Sequence, residues 1–131
     1  MKKDIHNRED IVLLVDTFYK QVALNKQIGP IFTDVAKVDW SHHLPKMYNF
    51  WESIVFGKAI YKGNPMLTHF ALNERTPLQT EAFETWKHLF FKTVDDLFTG
   101  ENADLIKQKA QSIADLMHFK INAPQSKIKI V

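Results

Sequence analysis

Phe83–Phe98, FETWKHLFFKTVDDLF, sets Phe83, Trp86, Phe90, Val94 and Leu97 at intervals of three and four. Residues so spaced lie above one another on an α-helix, so this stretch reads as a helix with one strongly aromatic face. Thr76-Pro77 and Thr80-Glu81 precede it as start signals, and Gly100 follows as a stop. Three further segments share the period. Ile11, Leu14, Val15, Phe18 and Val22 form the first face, with Asn7, Glu9 and Asp10 suited to its N-terminus and Gly29-Pro30 expected to end it. Leu44, Met47, Trp51, Ile54 and Val55 form the second, capped by Asp39 or Ser41, with Pro45 expected near the first turn, where its missing N–H costs least. Ala103, Ile106, Ala110, Ile113 and Met117 form the last. No segment keeps a period of two for long, so the reading is all-α. One domain is expected over residues 1–122, with 123–131, APQSKIKIV, as a frayed tail.

Composition narrows the chemistry. A chain of 131 residues can bury roughly two thirds of its unfolded surface in one core. Its 17 Lys and Arg balance 15 Asp and Glu, which gives no footprint for nucleic acid or a membrane surface. Cysteine is absent, so any metal must be held by histidine or carboxylates. The N-terminus, MKKDIHNRED, lacks the apolar core of a signal peptide, and no run is long enough to span a bilayer. A soluble cytoplasmic protein is expected.

The four helices leave a connection from about Lys58 to Gln79. Patternless connections of that length are uncommon inside a small domain, and are often functional. Within it, YKGNPMLTHFAL (residues 61–72) places His69 just after the turn signals Gly63, Asn64 and Pro65.

Three polar side chains fall on faces that the periodicity turns inward: Tyr19, after Val12 and Val15; His43, ahead of Met47, Phe50 and Ile54; and Trp86, central in the aromatic stripe. Each alone is more often a packing residue. Together they offer three inward donors with no inward acid to match, and a bound oxygen species carrying partial negative charge would satisfy them. His42 points about 100° away from His43. Like His6, His88 and His118, it is read as a surface residue.

From about Ile5 to Phe119 the chain resembles the truncated haemoglobins of group III, the two-over-two globins. The signposts are FYKQV (18–22), IGPIF (28–32), WSHHLPKMYNFW (40–51), YKGNP (61–65) and the stretch around Trp86, in that order and spacing. The resemblance implies a globin domain over residues 1–122 that binds haem b. It makes His69 the proximal axial ligand of the iron, and Tyr19, His43 and Trp86 the distal residues. An apolar slot would then draw on Phe32, Met47, Phe50 and Trp51. Phe70, Leu72, Phe83 and Phe90 would complete it. The implied partner is a diatomic gas, O2 with NO or CO as alternatives. A redox or detoxifying reaction, NO dioxygenation or a peroxidase-like one, would add an unidentified reductant. The 17 residues from His69 to Trp86 exceed the spacing expected for the shortest members of that family, which makes NERTPLQ an extended loop. Two other readings compete. A non-haem metalloenzyme in a helical bundle would want a Glu-x-x-His pair, which the chain lacks. A helical protein-interaction module without cofactor would use the aromatic face for a partner.

Overall fold

The computed structural model describes residues 2–30, 40–57 and 80–122, which hold four helices and no strand. We number them α1 (Arg8–Leu24), α2 (Trp40–Phe56), α3 (Thr80–Leu97) and α4 (Glu101–Asn122). No helix among the described residues is long and apolar enough to cross a membrane.

Local chemistry accounts for the ends of α1. Asn7 is extended, with φ −153° and ψ 179°, and its side chain accepts from the Asp10 amide at 3.0 Å. Glu9 and Asp10 in the first turn complement the positive end of the helix dipole. The helix stops at Leu24 rather than at Gly29-Pro30, as the sequence suggested. Asn25 is the reason: it leaves the helical region at ψ 128°, and its side chain accepts from the amides of Gln27 and Ile28 at 2.8 and 3.0 Å. Those local bonds replace the helical ladder. Pro45 also departs from expectation. Because α2 begins at Trp40, Pro45 is its sixth residue and lies inside the helix.

The helices assemble as two pairs laid across each other. α1 packs on α2 and α3 on α4, and the pairs meet through α1 with α3 and α2 with α4. Every residue of the predicted α1 stripe is buried: Ile11, Leu14, Val15 and Val22 are 0% exposed and Phe18 is 1%. Phe18 and Phe90 are the largest of the fully buried side chains, and removing either would cost about 3 to 5 kcal/mol.

An N-terminal strap ties the first residues to the corner between α3 and α4. The Thr99 amide donates to the Lys3 carbonyl at 2.9 Å. The Asp4 carboxylate accepts from the amides of Asn102 (3.0 Å) and Ala103 (2.9 Å), capping α4. Asn102 returns a bond to the Ile5 carbonyl at 2.7 Å. Gly100 is required there, since its φ of 140° is outside the range of ordinary side chains and a Cβ would stand 2.4 Å from Asp4 Cγ.

Candidate functional site

α1 supplies two adjacent aromatic residues on different bearings. Phe18 points into the core, where its ring meets Trp86 edge-on at 5.6 Å and Phe90 at 5.0 Å. Tyr19, still 8% exposed, turns toward the start of α2. There its ring lies 5.1 Å from His43, nearly perpendicular at 83°, and 5.4 Å from Trp40. Trp40 closes the triangle, 5.7 Å from His43. The His43 ring is half-buried, with Nε2 shut off from solvent.

Behind these rings the aromatic residues stack. Trp86 lies almost parallel to Phe90 at 5.5 Å and 7°, and Phe90 lies on Trp51 at 4.9 Å and 25°. One continuous set of rings therefore links α1, α2 and α3. Of the three polar residues read from the sequence, Tyr19 and His43 touch directly, and Trp86 joins them through Phe18.

The proposed slot residues fall into two layers. Trp51 and Phe90, at 3% and 0% exposure, are stacked on each other and form the back wall, while Phe83, 8% exposed, is buried apart from them. Met47 and Phe50 are half-buried, as are Leu44, Ile54 and Leu89, so α2 and α3 carry an apolar face that the described residues cover only in part. His69, Phe32, Phe70 and Leu72 lie outside the described residues. Among the described residues no group of three or more His, Asp or Glu is gathered to hold a metal ion.

The other histidines divide. His42, His6 and His88 are exposed, as expected. His118 is not a plain surface residue: it is half-buried, its ring stacked on Phe83 at 5.0 Å and 29°.

Two acids are buried where the sequence led us to expect none, and both have cations. Glu52, 4% exposed, accepts from Arg8 at 2.5 Å, and Asp10, 6% exposed, pairs with Lys3 at 2.9 Å and accepts from the His6 amide. Neither is needed to balance Tyr19, His43 or Trp86. Beside Glu52, the Tyr48 hydroxyl donates to Asp16, and the Arg8 guanidinium lies 5.9 Å from the Tyr48 ring centre. Burial, the bond to Asp16 and its charge together push the Tyr48 phenol up to about 12, against a smaller opposing effect of Arg8. Tyr48, Asp16 and Trp40 escaped the sequence reading. The one available signal was a glutamate inside the apolar run FWESIVF, residues 50–56.

Comparison with known proteins follows the same geometry. The sequence model of the family described as bacterial-like globin matches residues 3–122. The group 3 truncated hemoglobin ctb of Campylobacter jejuni is 34% identical over 123 residues, covering 92% of this chain and 93% of that protein. The crystal structure of group III truncated hemoglobin from Campylobacter jejuni matches with a TM-score of 0.81 and 32% identity, over 94% of this chain and 97% of that one.

Proposed function

Since the chain belongs to the bacterial-like globin family, among the group III truncated haemoglobins, we propose that Tyr19, His43 and Trp86 line the ligand side of its haem pocket. Membership makes this a haem protein that binds a small gas such as O2, and makes the two crossed helix pairs a two-over-two globin fold. The residues present fit the group. A flat macrocycle needs apolar walls with polar groups confined to one region. The half-covered face of α2 and α3 supplies the walls, and the Tyr19, Trp40 and His43 cluster supplies the polar end.

Haem, when bound, would supply an iron centre for the gas, and a histidine of this chain would hold it. His69 is our assignment for the histidine, and haem b for the cofactor. Met47 and Phe50 would then touch the ring, along with Phe32, Phe70 and Leu72. Trp51, Phe83 and Phe90 would support it from behind. Tyr19 donates its hydroxyl proton into the pocket from a ring wedged against Phe18, Trp40 and His43, so the donor does not need to be ordered when ligand arrives. Trp86 offers its indole N–H from a ring held on Phe90. Phe18 and Phe90, with no polar atoms on their side chains, exclude water behind both.

The proposal extends to NO and CO as ligands, and to an oxidative reaction, NO dioxygenation or peroxide reduction, fed by an external reductant in the cytoplasm. The direct Tyr19–His43 contact carries the reading. Titrating the protein with haem tests it. Uptake of one equivalent with an intense band at the violet edge is expected. His69→Gly should lose that spectrum and regain it with free imidazole. A His69→Gly protein that keeps the wild-type spectrum without imidazole would remove the axial assignment.

A further inference from the structure

Contacts between α1 and α2 run in opposite directions along the two helices. Near one end Arg8 Nη1 donates to Asn49 at 3.0 Å and to Glu52 at 2.5 Å. Tyr48 donates to Asp16 in the middle, and Tyr19 lies on Trp40 and His43 at the far end. Only that last contact faces the pocket. The middle one is closest to it, because Asp16 and Tyr19 are three residues apart and share one turn of α1.

Pro45 makes the middle contact consequential. It has no amide hydrogen, so it cannot bond the Ser41 carbonyl, and its ring crowds that carbonyl. The turn of α2 bearing Trp40 and His43 is therefore joined to the rest of the helix by one bond fewer. Its placement depends on where its base is held. Tyr48 sits three residues after Pro45, and its phenol keeps its proton at neutral pH and remains a donor.

We propose that Tyr48 is a positioning residue: by donating to Asp16 it sets the register of α2 on α1, and through it the contact of His43 and Trp40 with Tyr19. The inference rests on the pocket reading above. Hydrogen-bond geometry explains the sensitivity. A slip of α2 by one residue is about 1.5 Å along its axis; it would draw Trp40 and His43 off the Tyr19 ring that they hold, and so let the Tyr19 hydroxyl leave bonding distance of a ligand. Arg8 and Glu52 limit tilting of the distant end of α2, but Glu52 lies about one turn further from His43 than Tyr48 does.

Three variants separate positioning from plain stability. Tyr48→Phe removes the donor and keeps the ring, Asp16→Ala removes the acceptor, and Asp16→Asn retains an acceptor. The first readout is the NMR shift of the His43 Cε1 proton in the protein as purified, as the diamagnetic CO form where haem is carried. The Tyr19 and Trp40 rings, 5.1 and 5.7 Å away, displace that resonance by their ring currents. The second is the rate of O2 release beside that of CO. Tyr48→Phe and Asp16→Ala should each move the His43 resonance toward that of free histidine and speed O2 release about tenfold, with CO release within twofold. The double variant should be no worse than either single one. Asp16→Asn should match the wild type in both. Asp16 is half-buried on α1, so Asp16→Ala carries the comparison if Tyr48→Phe does not fold. Lower thermal midpoints with an unmoved His43 resonance and unchanged O2 release would overturn the proposal, as would an Asp16→Asn protein as defective as Asp16→Ala. A shifted His43 resonance in a protein that takes up no haem would uphold the positioning role and remove the pocket reading instead.

Discussion

Tyr19 and Trp86 differ from His43 in how firmly they are held, and that difference divides their roles. Tyr19 is buried in the middle of the chain of rings, and Trp86 is stacked on the fully buried Phe90. His43 stands in the turn before Pro45. On the reading proposed above, the first two would be fixed donors and the histidine would admit ligand. O2 polarises toward its donors and CO does so far less, and a hydrogen bond in a dry pocket contributes about 1 to 3 kcal/mol. Tyr19→Phe and Trp86→Phe should each speed O2 release about tenfold, since 1.4 kcal/mol is a factor of ten. The double variant should fall short of the product, because both donors address one ligand. His43→Ala should act mainly on association. Stopped-flow release and binding rates check all three. Release within twofold of wild type for both donor variants, with His43→Ala alone fast, would reverse the roles. The inward bearing of Tyr19 was legible from its stripe with Val15 and Val22, whereas its ring contacts with His43 and Trp40 were not, because they depend on how α1 crosses α2.

At the level of elements, α4 is capped by a side chain that does not belong to it. Burial acts to raise the Asp4 carboxyl, but bonds from the amides of Asn102, Ala103 and Ile5, aided by the charge of His6, outweigh it and hold the group below 3.8. Asp10 is likewise held low. Burial again opposes, and the His6 amide and Lys3 prevail. A carboxylate depressed in the folded state stabilises it above the unfolded value and loses that contribution as pH falls through the folded one. Stability should therefore decline with acid below about 3.8. Asp4→Asn should flatten that decline and lower stability at neutral pH by about 0.5 to 2 kcal/mol, the range of a lost cap. Chemical denaturation at several pH values reads both effects, and an Asp4→Asn protein with wild-type acid sensitivity would show that the cap is not the source. The helices themselves were legible because each keeps an apolar stripe at a period of three and four. The end of α1 was misplaced because Asn25, able to bond its own neighbours, competes with the helix before any glycine or proline does. Pro45 was placed too early because caps at Asp39 and Ser41 straddle the true start at Trp40.

Across the whole molecule, the deep core and the proposed pocket would share walls. Phe90 packs on Phe18, Trp51 and Trp86 at once, so anything that fills the space before Trp86 also braces the centre of the fold. Ligands that bind only the native state stabilise it by mass action. The haem-loaded protein should melt well above the haem-free one, and equal thermal midpoints in calorimetry would argue against a cofactor seated on this wall. The part-buried pairs that tie the chain together, Arg8 with Glu52, Asp16 with Tyr48 and Asp4 with Asn102, join residues 44, 32 and 98 apart. No periodicity reports such pairs. The role we propose for His69 likewise rests on the family resemblance, since a lone histidine after a turn carries no pattern of its own.

The strap also sets an order of events during synthesis. Asp4 leaves the ribosome well ahead of the amides it caps, which follow 98 and 99 residues later. At roughly 5 to 20 residues per second, Asp4 waits about 5 to 20 s for them. Until then α1 can form, but the corner that Gly100 leaves open for Asp4 does not exist. Nascent chains halted at residue 97, after α3, should thus expose Lys2–Ile5 to protease, and chains halted far enough beyond Asn122 to clear the ribosome should protect it. A segment made before all four helices is then among the last to be fastened.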